Sequence, residues 1–200
     1  MSEVGNDKQK KNGQQMTYRE YSKTKEGELY EVLDGYVLTM GSPSRDQHHI
    51  SMQLSIDFGS YLRGKKFEVF AAPTDVFLFE DIKEWDDDKV KNWVIPDLSI
   101  VCDPDKLDKK GVVGAPNLII EITSPSTAKV DYLQKRSSYQ KAGVKEYWII
   151  DPSYQKVDVY VLEDGVYNRS EVYFREDSIK VSILDNLSIK LENIFPEREE

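Results

Sequence analysis

The sequence is short of cysteine, of histidine and of long apolar runs. Its 200 residues include one cysteine, Cys102, and two histidines. A single cysteine cannot close an internal disulfide, which agrees with a reducing compartment, and we expect a cytoplasmic protein. No apolar run approaches the roughly 20 residues that span a bilayer, and the first residues lack the apolar centre of a signal peptide. The sequence therefore argues against a membrane protein.

Positive charge is also scarce. Lysine and arginine total 27 against 36 aspartate and glutamate residues, and the formal net charge is -9. A protein that coats nucleic acid by bulk electrostatics needs clustered lysine and arginine, so this class is disfavoured. A polyanionic partner would require a local basic patch or bridging cations. Candidate patches are Lys106, Lys109 and Lys110, and Arg63, Lys65 and Lys66.

The length fits one ordinary domain with its own core. Residues 1–15 are polar and without periodicity, which predicts a flexible tail. We expect the domain to cover residues 16–196 and the last residues, 197–200, to be frayed.

Hydrophobic periodicity predicts a mixed α/β protein. Four apolar residues at four-residue steps predict a helix that ends near Gly64: Ile50, Leu54, Phe58 and Leu62. Asp-Gly pairs at 34–35 and 164–165 predict two β-hairpins. A helix in VDYLQKRSSYQKAGV, closed by Gly143, separates strands in NLIIEIT and EYWIID, which predicts a right-handed crossover. The connector CDPDKLDKKGVVGAP predicts an exposed loop.

Glu121 stands out in the run NLIIEITSPST. Its neighbours Ile120 and Ile122 belong to a strand that reads as buried on both faces, and an unpaired buried carboxylate is costly. Side chains alternate along a strand, so Glu121 shares a face with Ile119 and Thr123. Such a carboxylate is protonated, paired with a basic group or bound to a metal ion.

Three further residues offer partners for Glu121. Asp97 follows Pro96 at the start of the strand IPDLSIV, and on a neighbouring strand it could converge with Glu121 on one Mg²⁺. Lys135 falls on the apolar side of the second helix, from which it either approaches the acids or extends outwards to solvent. Glu31 lies between apolar residues of an early strand, as a site residue or at a half-exposed edge.

Four segments, taken in order, resemble the Uma-two-type restriction endonuclease family, a branch of the PD-(D/E)xK nuclease superfamily. They are LYEVLDGYVLTMGSPSRDQHH, IPDLSIV, NLIIEITSPST and DYLQKRSSYQKAGVKEYWIIDP, and the resemblance covers residues 16–195. It implies a restriction endonuclease-like fold, with a central mixed β-sheet flanked by helices and additional β-hairpins. It also implies a magnesium-dependent site on the sheet.

Carried over to this chain, the resemblance makes Asp97 the Asp of the PD element, Glu121 the second acid and Glu31 an additional acid. The superfamily lysine usually stands two residues after the second acid, where this chain has Thr123. The resemblance places that lysine on the following helix, at Lys135. No catalytic role is assigned to the two histidines, His48 and His49.

The implied activity is hydrolysis of phosphodiester bonds in nucleic acid, with DNA as the expected substrate. Asp97, Glu121 and Glu31 would hold Mg²⁺, or Mn²⁺ in its place. Lys135 would orient the attacking water or neutralise developing charge. Cleavage of two strands calls for two sites, so a homodimer formed through the C-terminal hairpin is a further hypothesis.

Two other interpretations compete with the nuclease. One is a catalytically inactive nuclease-like module that binds nucleic acid or protein. The other is purely structural, with Glu121 paired to Lys135 or Arg136 inside the core. The acidic run Asp86 to Asp88 is better explained as a solvated turn than as a metal site.

Overall fold

The computed structural model describes residues 12–24 and 28–197. Most of the predicted tail and the last three residues lie outside this part. The described start of the chain is hydrogen-bonded to the first hairpin: Gly13 N–H donates to the carbonyl of Val37, and Met16 N–H to that of Gly35, both at 2.9 Å. Residue 13, upstream of the predicted boundary at residue 16, is therefore bound to the first hairpin.

The helices are short apart from one. They are α1 (Tyr18–Tyr21), α2 (Arg45–Leu62) and α3 (Arg136–Ala142), with a π-helix over Val130–Lys135 and 3-10 turns at Ile82–Glu84, Pro104–Lys106 and Leu191–Asn193. None of the helices in the described ranges is long and apolar enough to cross a bilayer. Thr17 and Glu20 form the capping box that starts α1, and the left-handed Gly143, with φ of 87°, ends α3.

Thirteen strands complete the described fold. They are β1 (Tyr30–Leu33), β2 (Tyr36–Thr39), β3 (Glu68–Ala71), β4 (Val76–Phe77), β5 (Leu98–Val101), β6 (Leu107–Asp108), β7 (Gly111–Val113), β8 (Leu118–Ile122), β9 (Glu146–Asp151), β10 (Lys156–Glu163), β11 (Val166–Phe174), β12 (Ser178–Lys180) and β13 (Ser188–Lys190). Both predicted hairpins are present, as β1–β2 and β10–β11.

Six strands form the central sheet in the order β11-β10-β9-β8-β5-β3. Within it β8 and β9 are parallel, while the other neighbours are antiparallel. The chain connects the parallel pair through the π-helix and α3, because parallel neighbours need a long crossover. The predicted mixed sheet, its crossover helix and the α/β class are therefore confirmed.

Each face of this sheet has its own apolar core. One core contains the whole predicted stripe of α2 together with Ile120 and Ile122. The other contains Ile119 of β8 with Tyr139 and Tyr147. Burying one aliphatic or aromatic side chain is worth about 1.5–3 kcal/mol, so both cores hold β8 firmly in place. Alternation along β8 thus directs Glu121 to the α3 side.

The connector between β5 and β8 differs from the prediction. Instead of an exposed loop it forms β6 and β7, which join β4 in a small sheet. Val112 pairs with Val76, and both are fully buried. The polar composition of the connector concealed this pairing, because its two valines find their partners far away in the sequence.

Candidate active site

The acids Asp97 and Glu121 are adjacent at one end of the central sheet. β5 and β8 are antiparallel, with Leu98 opposite Ile120. Asp97 directly precedes Leu98, and Glu121 directly follows Ile120, so the two acids are neighbours across the strands. Oδ2 of Asp97 accepts a hydrogen bond of 2.6 Å from the backbone N–H of Ile122. The structure therefore brings together the two acids that the sequence singled out.

Glu121 is buried beneath α3 and is 4% exposed. Its Oε1 accepts a hydrogen bond of 2.6 Å from the hydroxyl of Tyr139. The same oxygen lies 3.0 Å from Nζ of Lys135. A hydroxyl donor and an ammonium group thus share one oxygen of the carboxylate, and they fix the orientation of this side chain.

Lys135 forms the centre of an acidic cluster. It is 5% exposed, so of the two orientations considered for this side chain the structure has the inward one. Its Nζ lies 2.8 Å from Oε1 of Glu31 and 3.9 Å from Oδ1 of Asp131. The π-helix contains both Asp131 and Lys135, four residues apart. Short π-helical segments occur often at functional sites.

Glu31 reaches the cluster from β1, outside the central sheet. It is buried, so the alternative of a half-exposed strand edge does not apply. Its Oε1 also accepts a hydrogen bond of 2.9 Å from the backbone N–H of Ile95, just upstream of Asp97. Glu31 therefore connects the first hairpin both to Lys135 and to the segment that leads into β5.

Burial dominates the electrostatics of the site. It raises the pKa of Asp97 to about 6, against the hydrogen bond from Ile122 and the charge of Lys135. Burial likewise raises the pKa of Glu121 well above its usual range, with Lys135 opposing the rise. Burial alone would lower the pKa of Lys135, but Glu121, Glu31 and Asp131 outweigh it and raise that pKa, so the lysine is charged. The cluster thus has one ammonium for several carboxyl groups.

Three residues beside the predicted ones were not foreseen from the sequence. Asp131 is 3% exposed and adds a carboxylate beside Lys135. Tyr139, four residues after Lys135 on the same helix face, donates its hydroxyl hydrogen to Glu121. Gln47, in the first turn of α2, donates to the carbonyl of Ile122 at 2.7 Å. The spacing of four residues between Asp131 and Lys135 was a signal for Asp131, because side chains four apart on a helix are neighbours.

The donor set available to a magnesium ion consists of few protein ligands. In residues 12–24 and 28–197, no group of three or more His, Cys, Asp and Glu side chains is arranged to hold a metal. Oδ1 of Asp97 and Oε2 of Glu121 accept no hydrogen bond from the residues described. Asp97 is partly exposed, and Glu121 is 4% exposed. Mg²⁺ commonly uses one or two carboxylates and keeps several waters.

Other polar candidates are placed away from this chemistry. His48 and His49 are exposed on α2. Two of the lysines named as phosphate contacts have partners within the chain. Nζ of Lys106 donates to the carbonyl of Ala115 at 2.7 Å, and Lys110 lies 3.3 Å from Asp87. These two lysines are therefore poor candidates for a nucleic-acid contact.

The fold and the site define a restriction endonuclease-like protein: a mixed sheet with two acids at adjacent strand ends and a buried lysine beside them. The sequence model of the Uma2 family, described as "Putative restriction endonuclease", matches residues 16–192. The chain belongs to the Uma2 family.

Two related proteins extend this comparison. The crystal structure of "a putative nuclease belonging to DUF820" from Anabaena variabilis superposes with a TM-score of 0.70 at 20% identity. The superposition covers 90% of this chain and 97% of that one, and it shows a shared fold. An uncharacterized protein of Synechocystis sp. is 26% identical over 138 residues, which is 68% of either chain.

Proposed function

We propose that this protein is a magnesium-dependent endonuclease that hydrolyses phosphodiester bonds of DNA in the cytoplasm. The observation that carries the proposal is the meeting of Asp97 and Glu121 at adjacent strand ends, with Lys135 3.0 Å from Glu121. A core without such a function rarely buries acids at this density, because like charges repel and each loses hydration. DNA is proposed as the substrate because the family description names restriction endonucleases.

Asp97 and Glu121 would hold the ion through their outward oxygens, Oδ1 and Oε2. Bound Mg²⁺ supplies Lewis-acid stabilisation of the phosphate and lowers the pKa of a bound water. The protein contributes the position of both carboxylates: Ile122 N–H holds Asp97, and Tyr139 and Lys135 hold Glu121. Substrate entry would bring the phosphate to the solvent-facing side of this pair.

Lys135 would neutralise the charge that develops on the phosphate, or orient the attacking water. Glu31 and Asp131 keep it charged, since their carboxylates raise its pKa. Lys135 and Ile95 share Oε1 of Glu31, which leaves its Oε2 for the ion or for a water bound to the ion. The proposed metal set is therefore Asp97 and Glu121, completed by Glu31. A homodimer stays a prediction.

A second candidate is a nuclease-like module that binds without cutting. The same ion pairs support it, because Nζ of Lys135 lies 2.8 Å from Glu31 and 3.0 Å from Glu121 and compensates both carboxylates. The two candidates differ in divalent-ion binding, which the binding module does not need.

The test combines ion binding and cleavage. Purified full-length protein would be titrated with Mg²⁺ and Mn²⁺ by calorimetry and incubated with supercoiled plasmid DNA, with single-stranded DNA and with RNA. We expect divalent-ion binding and chelator-sensitive cutting, both lost in Asp97→Asn and in Glu121→Gln. The matched controls are Asp185→Asn and Glu192→Gln, which change exposed acids far along the chain. Wild-type protein that binds neither ion and cuts none of these substrates would overturn the proposal.

A further inference from the structure

We propose that Gln47 is a positioning residue for the acid pair. Its side-chain amide donates a hydrogen bond to the carbonyl of Ile122 at the end of β8, beyond the last residue that β5 pairs. The inference rests on the proposed function for its consequence, metal binding, but its geometry stands on contacts within the chain.

Gln47 has both ends of its side-chain amide engaged. Its Oε1 accepts a hydrogen bond of 2.8 Å from the backbone N–H of Ser44, and its Nε2 donates to the carbonyl of Ile122 at 2.7 Å. A flipped amide would set oxygen against carbonyl oxygen and N–H against N–H. The orientation of this side chain is therefore determined by its two partners.

The register of the sheet explains why the carbonyl of Ile122 needs this donor. The paired register of the antiparallel strands β5 and β8 ends at Leu98 and Ile120, and the chain bends at Asp97. Pro96, next upstream, has no backbone N–H with which to continue the ladder. The side-chain amide of Gln47 instead supplies a donor to the Ile122 carbonyl from α2.

The backbone N–H of Ile122 also has a side chain as its partner. It donates to Oδ2 of Asp97 at 2.6 Å, where a regular strand ladder would offer a backbone carbonyl oxygen. Side chains on two different elements thus hold Ile122 through its N–H and its carbonyl. Because Ile122 directly follows Glu121, these two hydrogen bonds fix the end of β8 that carries Glu121 relative to Asp97.

Gln47 stands on a rigid support. It lies in the first turn of the 18-residue α2, whose buried stripe packs in the core beside β8. Its backbone N–H also donates to Oγ of Ser44 at 3.2 Å, completing a capping box. One residue therefore caps the start of the helix and bonds to the end of the strand, and these two roles can be separated by mutation.

The experiment compares Gln47→Met with Ser44→Ala. Methionine matches the shape of glutamine but lacks the donor to Ile122, whereas Ser44→Ala removes the hydroxyl cap and keeps that donor. We expect Mn²⁺ affinity, measured by calorimetry on the full chain, to fall about 10- to 100-fold in Gln47→Met, as for other partners of metal ligands. Ser44→Ala should stay within about twofold of wild type. Equal affinities in the two variants would overturn the inference.

A readout without metal separates this inference from the proposed function. Amide hydrogen exchange at Ile122 should speed up in Gln47→Met and not in Ser44→Ala, whether or not the wild type binds Mn²⁺. If exchange at Ile122 is unchanged by Gln47→Met, the role assigned to Gln47 is wrong. Absent Mn²⁺ binding by wild-type protein would instead refute the metal site.

Discussion

Nζ of Lys135 lies 2.8 Å from Oε1 of Glu31, although the two residues are more than a hundred positions apart in the sequence. The π-helix carries the lysine over the central sheet, and β1 brings the glutamate from a separate hairpin. Neither group would be stable at this depth alone. Their pairing shows that the first hairpin is part of the site.

Removal of the ammonium should be costly for stability. Lys135→Met leaves Glu31, Glu121 and Asp131 without their shared cation, and loss of one partner of a buried ion pair typically costs about 3–5 kcal/mol. Urea denaturation would measure the free energy of unfolding. Lys141→Met, at an exposed position of α3, is the matched control and should change it by less than about 0.5 kcal/mol. A similar small loss in Lys135→Met would contradict the cluster as described.

Neutralisation of Glu121 should separate stability from metal binding. Glu121→Gln keeps the size of the side chain and an acceptor for the Tyr139 hydroxyl. It removes a carboxyl group whose pKa burial has raised well above its usual range. At pH 8 we expect unchanged or increased thermal stability, with Mn²⁺ affinity at least about tenfold weaker. The purely structural interpretation of Glu121 predicts the opposite, a destabilised protein. The matched control is Glu192→Gln, which removes an acidic group at the surface.

The pH dependence of the free energy of unfolding should reveal the titration of Asp97. Its pKa is 3.8 in a free side chain and about 6 in the fold, because burial disfavours the charge. The folded state then holds the proton more tightly than the unfolded chain. The stabilisation is therefore full below about pH 4 and lost as the pH rises through 6, an effect on the order of 3 kcal/mol. Chemical denaturation from pH 4 to 8 should show this loss in wild type and a flatter curve in Asp97→Asn. Parallel curves would refute it.

Gly111 should be intolerant of a side chain. Its φ is 142°, and a Cβ there would lie 2.2 Å from the carbonyl oxygen of Asp75. Gly111→Ala must shift the backbone that pairs β7 with β4, and strain of this kind costs on the order of 1–3 kcal/mol. Gly41→Ala is the control, since nothing lies within 4 Å of its added methyl group. Equal melting temperatures for the two variants would argue against the small sheet.

The sequence predicted local features well where one short segment decides the outcome. The stripe of α2, the Asp34-Gly35 turn and the stop at Gly143 depend on neighbours within a few residues, so periodicity and turn chemistry sufficed. The prediction of an exposed loop for the connector 102–116 was wrong because the structure of this segment depends on a distant strand. Its short strands owe their existence to β4, and nothing in the connector itself indicates that partner.

The same division between local and long-range effects applies to the acidic residues of the site. By itself the sequence determined which side chains are too polar for their apolar surroundings, namely Glu121, Asp97 and Glu31, and to which face of β8 Glu121 points. Only the tertiary structure decided that they meet, that Lys135 turns inward and that Gln47 completes the end of β8. Strand alternation is a local rule of backbone geometry. The choice of neighbouring strand is made only when distant segments pack together. The same packing removes water from each charged group, so that each group depends on a partner for its charge.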